Sequence, residues 1–187
     1  MEGKFNIYCN DVDLESLYNL CLNNGELHTY GKGDVFSMKD KRCRYVGIVK
    51  SGYLKYVLSD SDGEEHITGF SFQNTLVGDY FSITKRTPSM TSIVAAVETT
   101  VIQCKVEILE DYLENNPHVF LQLSNALFYQ VYTQYLNMHR MTPRERYLLL
   151  LKQCPDLLQT ISLKEIASYL QITPTHLSRL RKEITFG

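Results

Sequence analysis

The sequence lacks the patterns that would place it in a membrane or in the best-known enzyme classes. Its apolar runs are short, with Tyr147–Leu151 among the longest, whereas a membrane-spanning helix needs about 20 apolar residues. The first ten residues, MEGKFNIYCN, contain no apolar signal core. No P-loop, G-x-G-x-x-G or Ser-His-Asp pattern is present. These absences favour a cytoplasmic protein that has no enzymatic activity and no membrane partner.

The sequence also lacks a framework for binding metal. Its five cysteines are scattered without a C-x-x-C pair, and their odd number indicates reduced thiols in a cytoplasm. Single histidines offer haem ligands only in principle, so we expect no metal and no cofactor. His66 with Glu64 and Glu65 is the nearest approach to a ligand cluster, and we interpret it as a solvated turn. The residues considered are Cys9, Cys21, Cys43, Cys104, Cys154, His28, His118, His139 and His176.

Positive and negative charges nearly cancel, giving a net charge of −2, but they are unevenly distributed along the chain. Residues 140–187 carry +4 and residues 1–139 carry −6. A basic end on an acidic body suits a polyanionic partner that binds at one end only, although a solvated charged surface would give the same count. The basic residues of this end are Arg140, Arg144, Arg146, Lys152, Lys164, Arg179, Arg181 and Lys182.

The 187 residues, 44% hydrophobic, suit one large domain or a medium domain with a small one. A helix is predicted over residues 11–24 and ends at Gly25. From about Leu27 to Cys104, short β-branched or aromatic runs recur at a spacing near ten residues, which is typical of an antiparallel sandwich or roll. Asp62-Gly63 predicts a hairpin with a primed turn, because such a turn needs positive φ.

Helical periodicity returns after Lys105. A short helix is predicted over residues 106–114 and a long one over Pro117–Met141. One apolar stripe of the long helix suits packing on its copy in a second chain, while another face packs on its own β domain. Thr142 and Pro143 begin a helix that runs to Cys154, and we place a domain boundary near residue 140. The stripe consists of Phe120, Leu123, Leu127, Val131 and Met138, widened by Phe128, Tyr132 and Tyr135.

Residues 161–184, ISLKEIASYLQITPTHLSRLRKEI, have the pattern of a helix-turn-helix. The first helix is predicted over Leu163–Leu170, with a capping box from Ser162 to Glu165. In the turn that follows, Ile172 is predicted as a buried apolar plug. Gln171 stands where many such turns use glycine for a left-handed conformation, at a cost of roughly 1 kcal/mol.

The second helix begins at Pro174 and presents polar and basic side chains that suit a DNA major groove. Arginine can bond guanine with two parallel hydrogen bonds, and Ser, Thr and His can contact phosphates or base edges. A structural helical hairpin with a charged face is the alternative interpretation. The candidate DNA-binding residues are Thr173, Thr175, His176, Ser178, Arg179 and Lys182, and the inward ones are Leu177, Leu180 and Ile184.

In its order of elements and in three segments, the chain resembles the CRP/FNR family of bacterial transcription regulators. IVKSGYLKYVLSDSDGEEHITGF is similar to the family's central roll strands, VGDYFS to its Gly-Glu-Leu segment, and residues 161–184 to its DNA-reading unit. The resemblance implies an α+β fold with an N-terminal antiparallel β-roll of the cyclic nucleotide-binding type (a double-stranded β-helix). It assigns residues 1–115 to the sensor, 116–140 to the dimerisation helix and 141–187 to the helix-turn-helix domain.

The resemblance also implies a homodimer that binds a two-fold site on double-stranded DNA, with RNA polymerase among its candidate partners. Arg179 matches the family's main base-reading arginine, and Thr173 matches its phosphate-touching cap. Pro174 and Thr175 replace an Arg-Glu pair, so a different operator sequence is expected. The chain stops at Gly187, where many relatives continue into a β-hairpin wing, so fewer phosphate contacts are expected.

The effector pocket departs from the family pattern. Gly78-Asp79-Tyr80 replaces Gly-Glu-Leu, and Met90-Thr91 stands where an Arg-Ser pair holds the cyclic phosphate. A buried phosphate without its arginine is costly, so we expect no response to cyclic AMP and leave the small-molecule effector open. Asp79 with the out-of-register Arg86 is a less favoured pocket. Cys9 and Cys21 alone cannot hold the four-iron cluster of the oxygen-sensing branch.

Two functions therefore follow from the sequence. The first is a dimeric, sequence-specific DNA-binding regulator. The alternative is a ligand-sensing or protein-interaction module whose DNA-binding unit has lost its function.

Overall fold

The computed structural model describes residues 5–10, 12, 14–155 and 157–186. The chain divides into two compact units, Met1–Gln130 and Val131–Gly187, and the division lies within the long helix. Asp11 and Asp13, at the predicted start of the first helix, lie outside the described residues, as does the terminal Gly187. Within the described ranges, no helix combines the length and the apolar character needed to cross a bilayer.

The first unit contains a β-roll made of two four-stranded antiparallel sheets, as the sequence predicts. One sheet has the strand order β1-β8-β3-β6 and the other β2-β7-β4-β5. The strands are β1 (Glu26–Tyr30), β2 (Val35–Ser37), β3 (Tyr45–Ser51), β4 (Leu54–Ser59), β5 (Glu65–Ser71), β6 (Leu76–Val77), β7 (Ser92–Ala95) and β8 (Thr99–Lys105).

Helices flank the roll and make up the regular structure of the second unit. Three short helices among the described residues were not predicted, because each is too short to show a helical period in the sequence. They are a one-turn 3-10 helix at Ile7–Asn10 and the helices α2 and α6. The others agree with prediction to within a few residues. Their bounds are α1 (Leu14–Asn24), α2 (Tyr80–Lys85), α3 (Val106–Asn115), α4 (Pro117–Arg140), α5 (Pro143–Gln153), α6 (Leu157–Thr160), α7 (Leu163–Tyr169) and α8 (Pro174–Phe186).

The core of the first unit is one cluster of buried side chains from both sheets, α1, α3 and α4. Leu54 of β4, Ile93 of β7 and Val101 of β8 are fully buried in it. Full burial of such a side chain stabilises the fold by about 1.5–3 kcal/mol. In β7, Ile93 and Ala95 are buried and alternate with more exposed residues. This alternation explains why short β-branched runs in the sequence predicted strands in this half of the chain.

The hairpin between β4 and β5 forms as predicted, but its turn is not of the primed type. Only Gly63 has positive φ, at 81°, and its N–H donates to the Asp60 carbonyl at 3.2 Å. The Asp60 carboxylate accepts from the N–H groups of Asp62 and Glu64, both at 2.9 Å. Neither Ser61 nor Asp62 has positive φ, so the loop is a type I turn followed by a left-handed glycine.

Helix α4 turns a different face to the roll than the sequence suggests. Val119, Leu123 and Ala126 are buried in the core of the first unit, and Leu127 packs partly against it. The assignment of Leu123 to a dimerisation stripe is therefore wrong, because its side chain is only 3% exposed. The exposed apolar side chains of α4 are Phe120, Leu121, Phe128, Tyr129, Val131, Tyr132, Tyr135 and Met138.

The second unit contains the C-terminal part of α4, from Val131 onward, and helices α5 to α8. Thr142 begins α5 with the predicted capping box: the Glu145 N–H donates to the Thr142 hydroxyl, and the Glu145 carboxylate accepts from the Thr142 N–H. These hydrogen bonds, chiefly the one from the Thr142 backbone, lower the pKa of Glu145. The core of the unit consists of Tyr147, Leu150, Cys154, Ile161, Ile166, Ala167, Leu170, Leu177 and Leu180.

Candidate nucleic-acid interface

The turn between α7 and α8 is defined by short-range hydrogen bonds. Ser162 and Glu165 form the predicted capping box at the start of α7. At its end, the Ile172 N–H donates to the Ala167 carbonyl at 3.0 Å. Ala167 is fully buried, as expected where two helices cross closely, whereas Ile172 is partly exposed rather than a buried plug.

Gln171 has the left-handed conformation that the sequence predicts, with φ of 56°. Because a side chain with a Cβ is strained there, Gln171→Gly should raise the free energy of unfolding of the second unit by about 0.5–1 kcal/mol. Chemical denaturation would measure the change. Lys164→Gly is the control, since glycine within the right-handed α7 should lower the same quantity by up to about 1 kcal/mol. A destabilised Gln171→Gly variant would contradict the strain at this turn.

Helix α8 presents the candidate DNA-binding side chains outward. The Thr173 hydroxyl accepts from the His176 N–H at 3.1 Å and so caps the first turn. Leu177 and Leu180 are buried on the opposite face, while Ile184 is partly buried. The exposed residues include the whole candidate set: Thr173, Thr175, His176, Ser178, Arg179 and Lys182. Their outward face therefore consists of hydroxyl, imidazole and cationic groups.

Arg181 has a different environment from Arg179, although both lie on α8. Its guanidinium hydrogen-bonds the Tyr147 hydroxyl of α5. Burial raises the pKa of Tyr147, and Arg181 partly opposes that shift. Arg181 follows Leu177 by four residues, so the helical period alone could have placed it toward the inward face.

Arg146 helps to hold the second unit together, a role that the sequence did not predict. Its guanidinium donates to the carbonyls of Met141 at 2.9 Å and Leu170 at 3.0 Å. Leu170 is the C-cap of α7, next to Gln171, so the positive charge lies at the end of the helix where unpaired carbonyls favour it. Nearby, the Gln134 side chain of α4 donates to the Tyr169 hydroxyl at 3.1 Å. These contacts anchor α7, the helix that precedes the turn at Gln171.

The candidate effector segment begins at the end of β6 and continues into α2. The Asp79 carboxylate accepts from the Ser82 N–H at 3.0 Å and caps α2. Tyr80 hydrogen-bonds the Ser124 hydroxyl of α4 and stacks on Phe120. Beside Gly78, the Tyr56 hydroxyl donates to the Gly78 carbonyl at 3.3 Å. All three residues that replace Gly-Glu-Leu thus have partners within the fold.

The remaining effector candidates lie before β7. Met90 is 75% exposed and Thr91 is partly exposed. Arg86 is bound to α3: its guanidinium lies 3.2 Å from the Glu110 carboxylate and 3.3 Å from that of Glu114. An Asp79–Arg86 pocket is therefore not the arrangement in this structure.

The hairpin between β4 and β5 holds a small polar cluster that includes His66, on β5. His66 Nε2 lies 2.8 Å from an Asp60 carboxylate oxygen, and the possible ligand atoms of Asp60, Glu64 and His66 lie within 4.8 Å of one another. The same Asp60 carboxylate caps the hairpin turn, and its hydrogen bond with His66 lowers the pKa of Asp60. The structure brings Asp60, rather than the predicted Glu65, to His66 and Glu64, and hairpin capping accounts for the contacts of Asp60.

The chain matches a known protein family over part of its length and is similar to several solved structures. Residues 27–116 match the family described as the cyclic nucleotide-binding domain. The chain is similar to FixK2 from Bradyrhizobium japonicum, with a TM-score of 0.75 at 20% identity over 86% of this chain and 84% of that one. It is also similar to the catabolite activator protein of Thermus thermophilus, with a TM-score of 0.57 at 18% identity over 96% and 86%.

A third similar structure is CLP, the c-di-GMP responsive global regulator of Xanthomonas campestris, with a TM-score of 0.67 at 13% identity over 92% of each chain. At these identities, the similarities establish a shared fold. No curated protein sequence matches that of the chain.

Proposed function

Because the chain carries a cyclic nucleotide-binding domain and has the fold of the CRP/FNR regulators, we propose that it is a transcription regulator that binds a two-fold DNA operator as a homodimer. The observation that carries the proposal is the outward face of α8. Six polar or basic side chains are exposed there, while Leu177 and Leu180 fix the helix to the rest of its unit. An exposed helix of this composition fits the width of a B-DNA major groove.

The distribution of positive charge also favours the outward face of α8 as the DNA-binding surface. Arg179 and Lys182 are exposed on α8, so their charges are available to DNA bases and phosphates. The guanidinium of Arg181 is held by Tyr147, and we assign it a structural role. The exposed Thr173 cap stands at the N-terminus of α8, where backbone N–H groups favour an approaching phosphate.

The test is selection of bound duplexes from a random DNA library, followed by measurement of affinity at several salt concentrations. A two-fold consensus sequence whose log affinity falls linearly with log salt is the expected result. Selection that enriches no sequence would refute the proposal and favour the alternative, a sensing or protein-interaction module without a working DNA unit.

The exposed apolar side chains of α4 support the dimer. Val131, Tyr135 and Met138 are 59%, 52% and 41% exposed, and they recur at spacings of three and four residues. A continuous apolar stripe on an exposed helix face is stabilised when a second helix covers it. With Leu123 in the core of its own unit, we propose that Phe128, Val131, Tyr132, Tyr135 and Met138 make the contact.

The segment that would hold a cyclic phosphate offers no free arginine, since Met90 stands at the expected position and Arg86 is bound by Glu110 and Glu114. We therefore expect cyclic AMP and cyclic GMP to bind more weakly than micromolar, because a buried phosphate needs a charged partner. Calorimetric titration of the full chain would measure this. A micromolar or tighter dissociation constant for either nucleotide would overturn the expectation.

A further inference from the structure

We propose that Cys21 and Cys104 are a redox-active pair that closes to a reversible disulfide when the protein meets a hydroperoxide. Cys21 lies on α1 and Cys104 on β8, 83 positions later in the chain. Their sulfur atoms are 3.7 Å apart, and each residue is 2% exposed. A disulfide bond is about 2.05 Å long, so the two sulfurs need to approach by roughly 1.7 Å.

The backbone around the pair holds the two thiols in register. Glu26 of β1 pairs with Gln103, the neighbour of Cys104 on β8. Gly25 connects α1 to β1, and a Cβ there would lie 2.4 Å from the Cys21 carbonyl oxygen and 2.7 Å from the Gln103 carbonyl oxygen. The last turn of α1 is therefore fixed directly against β8, so the contact between the sulfurs follows from the close approach of two backbones.

Electrostatics distinguishes the two thiols. Either thiol can donate to the other; when the Cys21 thiol donates to the sulfur of Cys104, this hydrogen bond lowers the pKa of Cys104. The same contact raises the pKa of Cys21, with burial adding to that shift. In that arrangement Cys104 is the more acidic member, and we assign the role of attacking nucleophile to its thiolate.

The reaction proceeds in two displacement steps. The Cys104 thiolate attacks the terminal oxygen of the hydroperoxide, the O–O bond breaks, and the departing alkoxide or hydroxide takes one proton. The Cys21 sulfur then attacks the sulfenic acid of Cys104, the S–S bond forms, the S–O bond breaks, and water leaves with the second proton. Two thiols are oxidised to one disulfide, and the hydroperoxide is reduced to an alcohol and a water, or to two waters when it is hydrogen peroxide.

Burial controls the rate of this reaction. Both thiols lie in the core, so a hydroperoxide reaches them when α1 opens locally from β8. The disulfide then joins α1 to β8 across a long loop, which restricts the unfolded chain. We expect oxidation to raise the melting temperature of the first unit by roughly 5–15 °C.

The experiment uses the full chain, reduced and then freed of reductant, and treated with increasing hydrogen peroxide. After the thiols are alkylated in denaturant, intact-mass spectrometry should show two unalkylated cysteines and a loss of about 2 Da, the two hydrogens of a disulfide. Digestion with trypsin and with a protease that cleaves after Glu15, between Cys9 and Cys21, should recover a peptide that links Cys21 to Cys104. Dithiothreitol should restore both thiols and the original melting temperature.

Matched variants assign the reaction to this pair. Cys21→Ser and Cys104→Ser should lose the disulfide and the thermal shift, and Cys21→Ala repeats the test without a buried hydroxyl. Cys9→Ser, which removes the partly exposed thiol, should retain both. The proposal is overturned if the wild-type chain keeps all five thiols, if the linked peptide joins other cysteines, or if Cys21 and Cys104 gain oxygen without becoming linked.

Discussion

Val131→Glu should convert the protein to monomers and weaken operator binding by about 100-fold or more. Val131 is 59% exposed, so a carboxylate there leaves the fold of its own unit intact. In a helix pair, the same carboxylate would be buried against its copy, where two like charges meet in an apolar contact. Losing the dimer removes the linkage of two half-sites, whose contribution to affinity is typically 100- to 10,000-fold. Light scattering would measure the mass, and a gel shift the affinity.

Gln122→Glu is the matched control for this variant. Gln122 is exposed and lies nine residues from Val131, about two and a half turns away and therefore on the opposite side of α4. It should remain dimeric and bind the operator normally. Leu127 is a poorer test site, because it packs partly against the core and a charge there would also destabilise the first unit. A dimeric Val131→Glu protein would show that α4 does not make the contact.

Arg179→Ala should weaken binding to the selected operator by about 5- to 150-fold, corresponding to about 1–3 kcal/mol, and should relax specificity at one base pair of each half-site. The exposed guanidinium of Arg179 can give a guanine two parallel hydrogen bonds. Arg179→Lys keeps the charge but loses that geometry, so it should retain more affinity than the alanine variant while discriminating less. Affinities for the operator and its single-base variants would be measured by fluorescence anisotropy.

Arg144→Ala provides the control for charge alone. Arg144 is exposed on α5, outside the helix-turn-helix, and its loss should leave base discrimination unchanged. Equal effects of Arg144→Ala and Arg179→Ala on every DNA sequence would show that Arg179 acts only through its charge. Arg181→Ala is unsuitable as a control, because it would also remove the contact with Tyr147.

The helix-turn-helix could be read from the sequence because local hydrogen bonds determine its geometry. The capping box of Ser162 and Glu165 and the left-handed Gln171 each involve residues at most three apart. The hairpin at Gly63 was predictable for the same reason, although the primed turn was not, since the Asp60 side chain stabilises another turn type. Short-range chemistry thus located the candidate DNA-binding surface before any tertiary contact was known.

Contacts between residues that are distant in the sequence could be identified only from the structure. The apolar pattern of α4 contains Leu123 and Val131 alike, and only packing on the roll shows that the first is buried and the second exposed. Arg86 gave no sequence signal for its pairing with Glu110 and Glu114, on a helix more than twenty positions away.

The sequence by itself determined the order of elements, the antiparallel roll and the turn that presents α8, because periodicity and capping operate within a few residues. The tertiary structure decided which face of α4 is exposed, that Arg86 and Arg146 bind other groups of the fold, and that Cys21 contacts Cys104. Such contacts depend on how sheets and helices pack, and the same local pattern is compatible with many packings.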